Sequence, residues 1–203
     1  GHLGGLPAGA WLGVFALGLL SYGLRFLRWH LLLTHLGHRI PLGRQALIYL
    51  AGFGLAMTPG KLGETVRSAY LVPLGVPVGH SLAAFFTERL VDLLIISLLA
   101  SLALAHLLAH PAWFGLVWAG VLALVALLRS RLLPFLAGRL GRGMLAQTAD
   151  DGARALRHLL RGRTLWLSLL LGGLAWTGQG IGLWLVLAAS GAAPPLWPTV
   201  GSY

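Results

Sequence analysis

"QALIYLAGFGLAM" (residues 45–57), followed at once by "TPGKLGETVRSAYL" (residues 58–71), is the stretch that decides the fold. A helix over the first part reaches about 20 Å, whereas the hydrocarbon core of a bilayer is about 30 Å thick. It is apolar but too short to cross. The second part breaks at Thr58-Pro59-Gly60 and then places Lys61, Glu64 and Arg67 in quick succession. Irregular backbone at membrane depth is tolerated only where protein or water surrounds it. The pair of segments therefore reads as a helical hairpin with a polar tip.

The rest of the chain supplies the membrane. Of its 203 residues 57% are hydrophobic and only 10% charged, against about a quarter charged in a soluble domain. This composition indicates an integral membrane protein. The absence of cysteine excludes disulfides and thiolate metal sites. Apolar runs of spanning length occupy residues 8–24, continuing through Arg25 and Arg28 into "WHLLL", then 81–106, 112–128 and 164–189. The opening "GHLGGLPAGAW" lacks the charged start of a cleavable signal peptide. Both ends read as cut. The expectation is a single integral membrane domain over residues 1–203, truncated at its C-terminus, with truncation at the N-terminus left open.

The arginines give an orientation. Lys61, Glu64, Arg67, Glu88, Arg89 and Asp92 lie in or beside apolar segments, three of each sign. The other twelve basic residues fall in two stretches, 25–44 and 129–163, and less Asp150 and Asp151 they account for the whole net charge of +10. The positive-inside rule makes both stretches cytoplasmic loops, so the basic balance is a topology signal and requires no nucleic acid. If 112–128 ends in the cytoplasm, then 81–106 must leave it, and the chain is cytoplasmic near residue 79 as well as near residue 44. Residues 45–78 accordingly enter the membrane and return to the same face as a re-entrant hairpin. Residues 131–163 mix leucines and arginines at helical spacing and read as interfacial amphipathic helices drawn to anionic lipid. Trp29 and Trp166 fit an inner aromatic belt, Trp11 and Trp113 an outer one.

The embedded charges are the candidate site. Glu64 and Arg67 share a helix face, as do Glu88 and Asp92, with Arg89 three residues from Asp92. Two carboxylates on one face are costly in a dry environment unless cations intervene, so Lys61 and Arg67 are expected to face the Glu88/Asp92 ledge. The bland alternative makes Glu88, Arg89 and Asp92 interfacial residues at a helix start, or the whole group interhelical glue. Intramembrane ionisable groups more often mark function.

Other signals are weaker. "GKLGET" fails as a phosphate loop, because Leu55 and Leu62 occupy required positions. His35 and His38 lack a third ligand and an acidic companion, so no metal is expected. Arg25 and Arg28, beside Trp29, either bind a lipid phosphate or snorkel to the interface. No catalytic triad, zinc helix or cofactor loop is present, and no catalytic residue or cofactor is assigned.

"LRFLRWHLLL", "TPGKLGETVRSAYL" and "ERLVDLL" (88–94) together resemble the transmembrane-domain family of lysylphosphatidylglycerol synthases, a flippase-like family of polytopic proteins. The resemblance implies an all-α polytopic transmembrane bundle, with aminoacyl transfer belonging to a separate soluble domain that nothing here resembles. By position, Lys61, Glu64, Arg67, Glu88, Arg89 and Asp92 are the family's polar motif residues, with Arg25, Arg28, Thr58 and Pro59 as accessories.

The expected function is binding of an anionic or zwitterionic phospholipid headgroup, or of a lipid-linked intermediate, and its transbilayer movement in the cytoplasmic membrane. The alternatives are a membrane-embedded enzyme subunit acting on a lipid-linked substrate, with Glu88 or Asp92 as general base, or a scaffold for a lipid-modifying enzyme. Expected partners are membrane lipids, a second copy of the chain, or such an enzyme.

Overall fold

A computed structural model describes residues 7–54, 62–107, 112–130, 143–191, 195–196 and 199–200, with side chains throughout these except at 53–54, 62–66, 102–107, 112–114 and 116–117. All regular structure among the described residues is helical. The helices are α1 (Ala8–His35), α2 (Leu42–Gly54), α3 (Leu62–Leu71), α4 (Val78–Leu107), α5 (Ala112–Arg129), α6 (Met144–Leu159) and α7 (Gly162–Ala189), with a 3-10 turn at Val72–Leu74.

Local chemistry explains the boundaries. Pro7, Pro41 and Pro77 each precede a helix and accept from its first turn: Ala10 N–H to Pro7, Gln45 N–H to Pro41, His80 N–H to Pro77. A residue with fixed φ and no N–H suits that position. α1 stops because Gly37 takes φ 88°, which lets the His38 N–H turn back to the Leu33 carbonyl at 3.0 Å, a left-handed cap that glycine adopts without strain. Gly75 (φ 79°) closes the turn after α3 in the same way, through Val76 N–H to Leu71 O.

The chain forms two compact units. The first comprises residues 1–25, 91–122 and 169–203, the second 26–90 and 123–168. Within the first, Ser21 Oγ donates to the Ala175 carbonyl at 3.0 Å and Trp118 Nε1 donates to Ser101 Oγ at 3.1 Å. Within the second, Trp29, Leu32, Leu33, Ile48, Tyr49, Leu71, Ala84 and Leu159 form the apolar core. α2 and α3 pack against each other there. Ser68 and Ser81 hydroxyls also meet, at 2.8 Å.

The distribution of polarity is the reverse of a soluble protein's. Arg28, Gln45, Arg67, Glu88 and Asp92 are buried, while Leu12, Phe15, Leu19, Leu47, Leu50 and Leu170 are exposed. On α2 alone, Gln45, Ile48 and Tyr49 face inward and Leu47 and Leu50 outward. Apolar surface this continuous requires an apolar neighbour. α1 and α7, 28 residues each, are long and apolar enough to cross a bilayer.

Several expectations are corrected. Residues 25–44 are no loop: α1 runs on to His35 and carries Arg25 and Arg28 within it. Trp29 is 1% exposed and is a core residue, since a belt tryptophan must present its ring to the interface; Trp11 and Trp166 are exposed. Glu88 lies three turns into α4 and is 1% exposed, which removes the reading of a helix-start decoration. The hairpin tip, residues 55–61, and the first part of the expected interfacial segment, residues 131–142, lie outside the described residues, as does the Trp113 side chain.

Candidate functional site

The second unit buries two arginines around one carboxylate. Arg28 on α1 approaches Glu88 Oε1 through Nε at 3.6 Å, and Arg67 on α3 approaches Oε2 through Nη1 at 3.6 Å. All three side chains are at most 2% exposed. At these separations the contacts are ion pairs, longer than direct hydrogen bonds.

Aromatic rings complete the setting of Arg67. Its guanidinium carbon sits 4.3 Å from the Tyr49 ring centre and 5.3 Å from that of Trp29, within cation–π range. Phe26 in turn meets Tyr49 edge-on at 5.6 Å. α2 admits the arginine because residue 52 is glycine: a Cβ there would lie 2.8 Å from Arg67 Cγ and closer still to Nε.

The first unit holds its own pair. Asp92 Oδ2 lies 3.7 Å from Arg25 Nη1, and Asp92 Oδ1 accepts a hydrogen bond from Trp176 Nε1 at 3.0 Å. Arg25 Nη2 donates to Gln179 Oε1 at 3.1 Å, and the guanidinium lies 4.5 Å from the Trp176 ring centre. Each of the polar atoms named has a directed neighbour, and the guanidinium is held by a carboxylate, an amide and a ring.

Of the six residues expected to form the site, Arg67 and Glu88 are brought together, and Asp92 pairs with Arg25. Arg89 is exposed, its guanidinium 5.6 Å from the ring of Phe85 on its own helix. Lys61, Thr58 and Pro59 lie outside the described residues. Glu64 is on α3, its side chain not among those described. Arg25 and Arg28 do not snorkel; they are the cations for Asp92 and Glu88. Sequence reasoning missed Tyr49, Trp176 and Gln179 altogether and gave Trp29 the wrong role. The available signal was the i, i+3 spacing of Arg25 and Arg28 on one apolar helix, matching Glu88 and Asp92 at i, i+4 on another.

Among the described residues no three His, Asp or Glu side chains gather as metal ligands. His38 and His80 pair instead, Nε2 to Nδ1 at 2.8 Å, and the His35 and His158 rings stack at 4.9 Å. Burial, and then the neighbouring His80, lower the His38 pKa from its ordinary value.

Buried ion pairs on helices whose outer faces are leucine-rich suit a protein embedded in a bilayer. Residues 4–203 match the family model of the lysylphosphatidylglycerol synthase TM region. The chain belongs to that family. The match spans nearly the whole sequence, so both units fall within the family region, and the protein is a membrane protein. No curated protein and no solved structure matched the chain.

Proposed function

We propose that this protein binds the polar head of an anionic or zwitterionic phospholipid, or of a lipid-linked intermediate, and assists its movement across the bilayer. The observation that carries this reading is Glu88 set between Arg28 and Arg67, all three buried in a unit faced with leucines. Two buried guanidinium groups offer the planar donor geometry that a phosphate recognises. Glu88 holds the two cations apart and in place, and Tyr49 and Trp29 line the guanidinium's flank. In the first unit, Asp92 does the same for Arg25.

The short helices support a re-entrant arrangement. α2 and α3, 13 and 10 residues long, reach about 20 and 15 Å, and neither can cross a core of about 30 Å. Broken helices ending near the midplane are a recurrent device for binding sites in transporters. On this reading α1, α4, α5 and α7 span the cytoplasmic membrane, the units form one membrane domain, and residues 36–44 and 129–163 face the cytoplasm. Lys61, Glu64 and the Thr58-Pro59 break belong to the hairpin's tip. A second copy, or a lipid-modifying enzyme, is the partner this reading leaves room for.

Liposomes carrying the purified protein and a fluorescent headgroup-labelled phospholipid test the proposal. Movement of label between leaflets without chemical change is the expected result, lost in Arg67→Gln and Glu88→Gln. A modified lipid product would favour an enzyme subunit. Neither movement nor product would favour a scaffold.

A further inference from the structure

Four of the chain's eight histidines meet in the second unit, each at or just past the end of a helix. His35 is in the last turn of α1, His38 follows that helix's glycine cap, His80 is in the first turn of α4 and His158 in the last turn of α6. His38 Nε2 faces His80 Nδ1 at 2.8 Å with the ring centres 5.1 Å apart, the separation of two rings meeting nose to nose. His35 and His158 stack instead, centre to centre at 4.9 Å with their planes 27° apart. One pair thus fastens α1 to α4 and the other fastens it to α6. Gly79 and Gly152 bring α4 and α6 together backbone to backbone, so the three helix ends touch in a closed ring.

Such a pair tolerates one charge and resists two. A nose-to-nose contact holds a single proton between its nitrogens, and a second leaves two N–H donors opposed. Stacked rings that are both charged repel as like charges do. Among the described residues no carboxylate joins either pair. The charged neighbours are cations: Arg39 beside His38, and Arg154, Arg157 and Arg161 within about one turn of His158. Asp150 and Asp151 are engaged by Arg154. α3 meets the start of α4 through neutral hydroxyls, Ser68 and Ser81, and α2 opens with the exposed Arg44. Glu88, two turns beyond His80, lies between Arg28 and Arg67. His38 and His80 are half-buried and His35 and His158 exposed, so acid reaches all four without unfolding. Burial, and then His80, already lower the His38 pKa.

The same helices deliver the ion pair of the candidate site, Arg28 from α1 and Glu88 from α4. We propose that the two imidazole pairs are an acid-operated clasp: when both rings of a pair are charged, the end of α1 leaves α4 and α6, and Arg28 loses its hold on Glu88. Histidine clusters switch with pH where protonation opposes a contact between elements. The clasp itself stands on the four rings. Its effect on a ligand rests on the headgroup reading and adds regulation to it: headgroup binding weakens in acid.

The chain has no cysteine, so Thr34→Cys on α1 and Gln147→Cys on α6, both exposed positions, give two spin-label sites whose separation pulsed electron paramagnetic resonance reads in maltoside micelles. The separation should lengthen between pH 7.5 and pH 5. It should stay fixed when His38→Gln and His158→Gln are added, because glutamine keeps a hydrogen-bonding side chain and cannot titrate. His80→Gln replaces His38→Gln if the latter does not fold. Phosphatidylglycerol binding by the parent should weaken about tenfold over the same interval, within the usual range of coupling between two sites, and binding by the doubly substituted chain should not. A separation indifferent to pH, or one that lengthens equally in the substituted chain, overturns the clasp. If the separation responds while phosphatidylglycerol binds equally at both pH values, the regulation is overturned and the headgroup reading stands. If phosphatidylglycerol binds at neither, the headgroup reading falls, and the separation alone decides the clasp.

Discussion

Arg67 crosses the bare backbone of Gly52, with its Cγ 2.8 Å from where a Cβ would stand. Glycine inside a helix costs about 1 kcal/mol relative to alanine, so an exposed Gly→Ala change would stabilise α2. Here the sign reverses. Gly52→Ala should push Arg67 off Tyr49 and Glu88, lowering the melting temperature in detergent and reducing lipid binding together. A melting temperature raised by Gly52→Ala would mean that Arg67 does not take this path.

Glu88 is the anion that Arg28 and Arg67 both face, so removing its charge should be worse than removing either arginine. Breaking one partner of a buried pair costs about 3–5 kcal/mol. Glu88→Gln should fall in that range, and Arg67→Met, which leaves the Arg28 pair, below it. The double variant should be less destabilised than the two single losses added, because the sites share a partner. Thermal unfolding of the four proteins closes the cycle.

Helix positions were legible because the bilayer imposes long apolar runs: 8–24 extended through Arg28, 112–128 and 164–189 correspond to α1, α5 and α7 within a few residues. α2 ends at Gly54 and α3 begins at Leu62, and the Thr58-Pro59-Gly60 break expected between them lies outside the described residues. The pairing was only half legible. Glu88 and Asp92 announce a buried ledge, but their spacing does not say which element brings the cations, and Arg25 and Arg28 come from α1. A positive-inside tally groups Arg25 and Arg28 with the loop arginines because it ignores which helix face a charge occupies. The tryptophans were harder still, since an indole at a belt and one stacked on an arginine have the same sequence neighbours.

Asp92 receives a hydrogen bond from Trp176 at 3.0 Å and faces Arg25 at 3.7 Å. Trp176→Phe keeps a ring under Arg25 but removes the donor. Losing one hydrogen bond to a charged group costs about 1.5–3 kcal/mol, and that is the expected loss. Asp92→Ala should cost more, because it takes the carboxylate from both neighbours. Equal melting temperatures for Trp176→Phe and the parent would show that the bond is not maintained.

Gly79 and Gly152 let α4 and α6 touch backbone to backbone. A Cβ at Gly79 would lie 2.7 Å from the Thr148 carbonyl oxygen and 2.9 Å from the Gly152 nitrogen, atoms that cannot rotate away. A Cβ at Gly152 would meet nothing nearer than 3.2 Å. Gly79→Ala should therefore speed amide exchange along α6 strongly and Gly152→Ala weakly. Equal protection of the two variants would contradict this asymmetry.

The His38–His80 contact predicts a pH dependence whose sign follows from burial. Only a neutral imidazole nitrogen can accept, so the 2.8 Å bond requires at least one uncharged ring. Burial and the nearby His80 lower the pKa of His38 below its ordinary 6.5. The unfolded chain therefore takes up a proton at this position before the folded one does, and stability must fall as pH drops. The contribution is fully present above pH 6.5 and is lost as pH passes downward through the lowered folded value. Melting temperatures in detergent from pH 8 to pH 5 should decline in that window. His38→Gln, which keeps a hydrogen-bonding side chain and cannot titrate, should show a shallower decline. A steeper slope in the variant, or stability rising on acidification, would contradict a lowered His38 pKa in the folded protein.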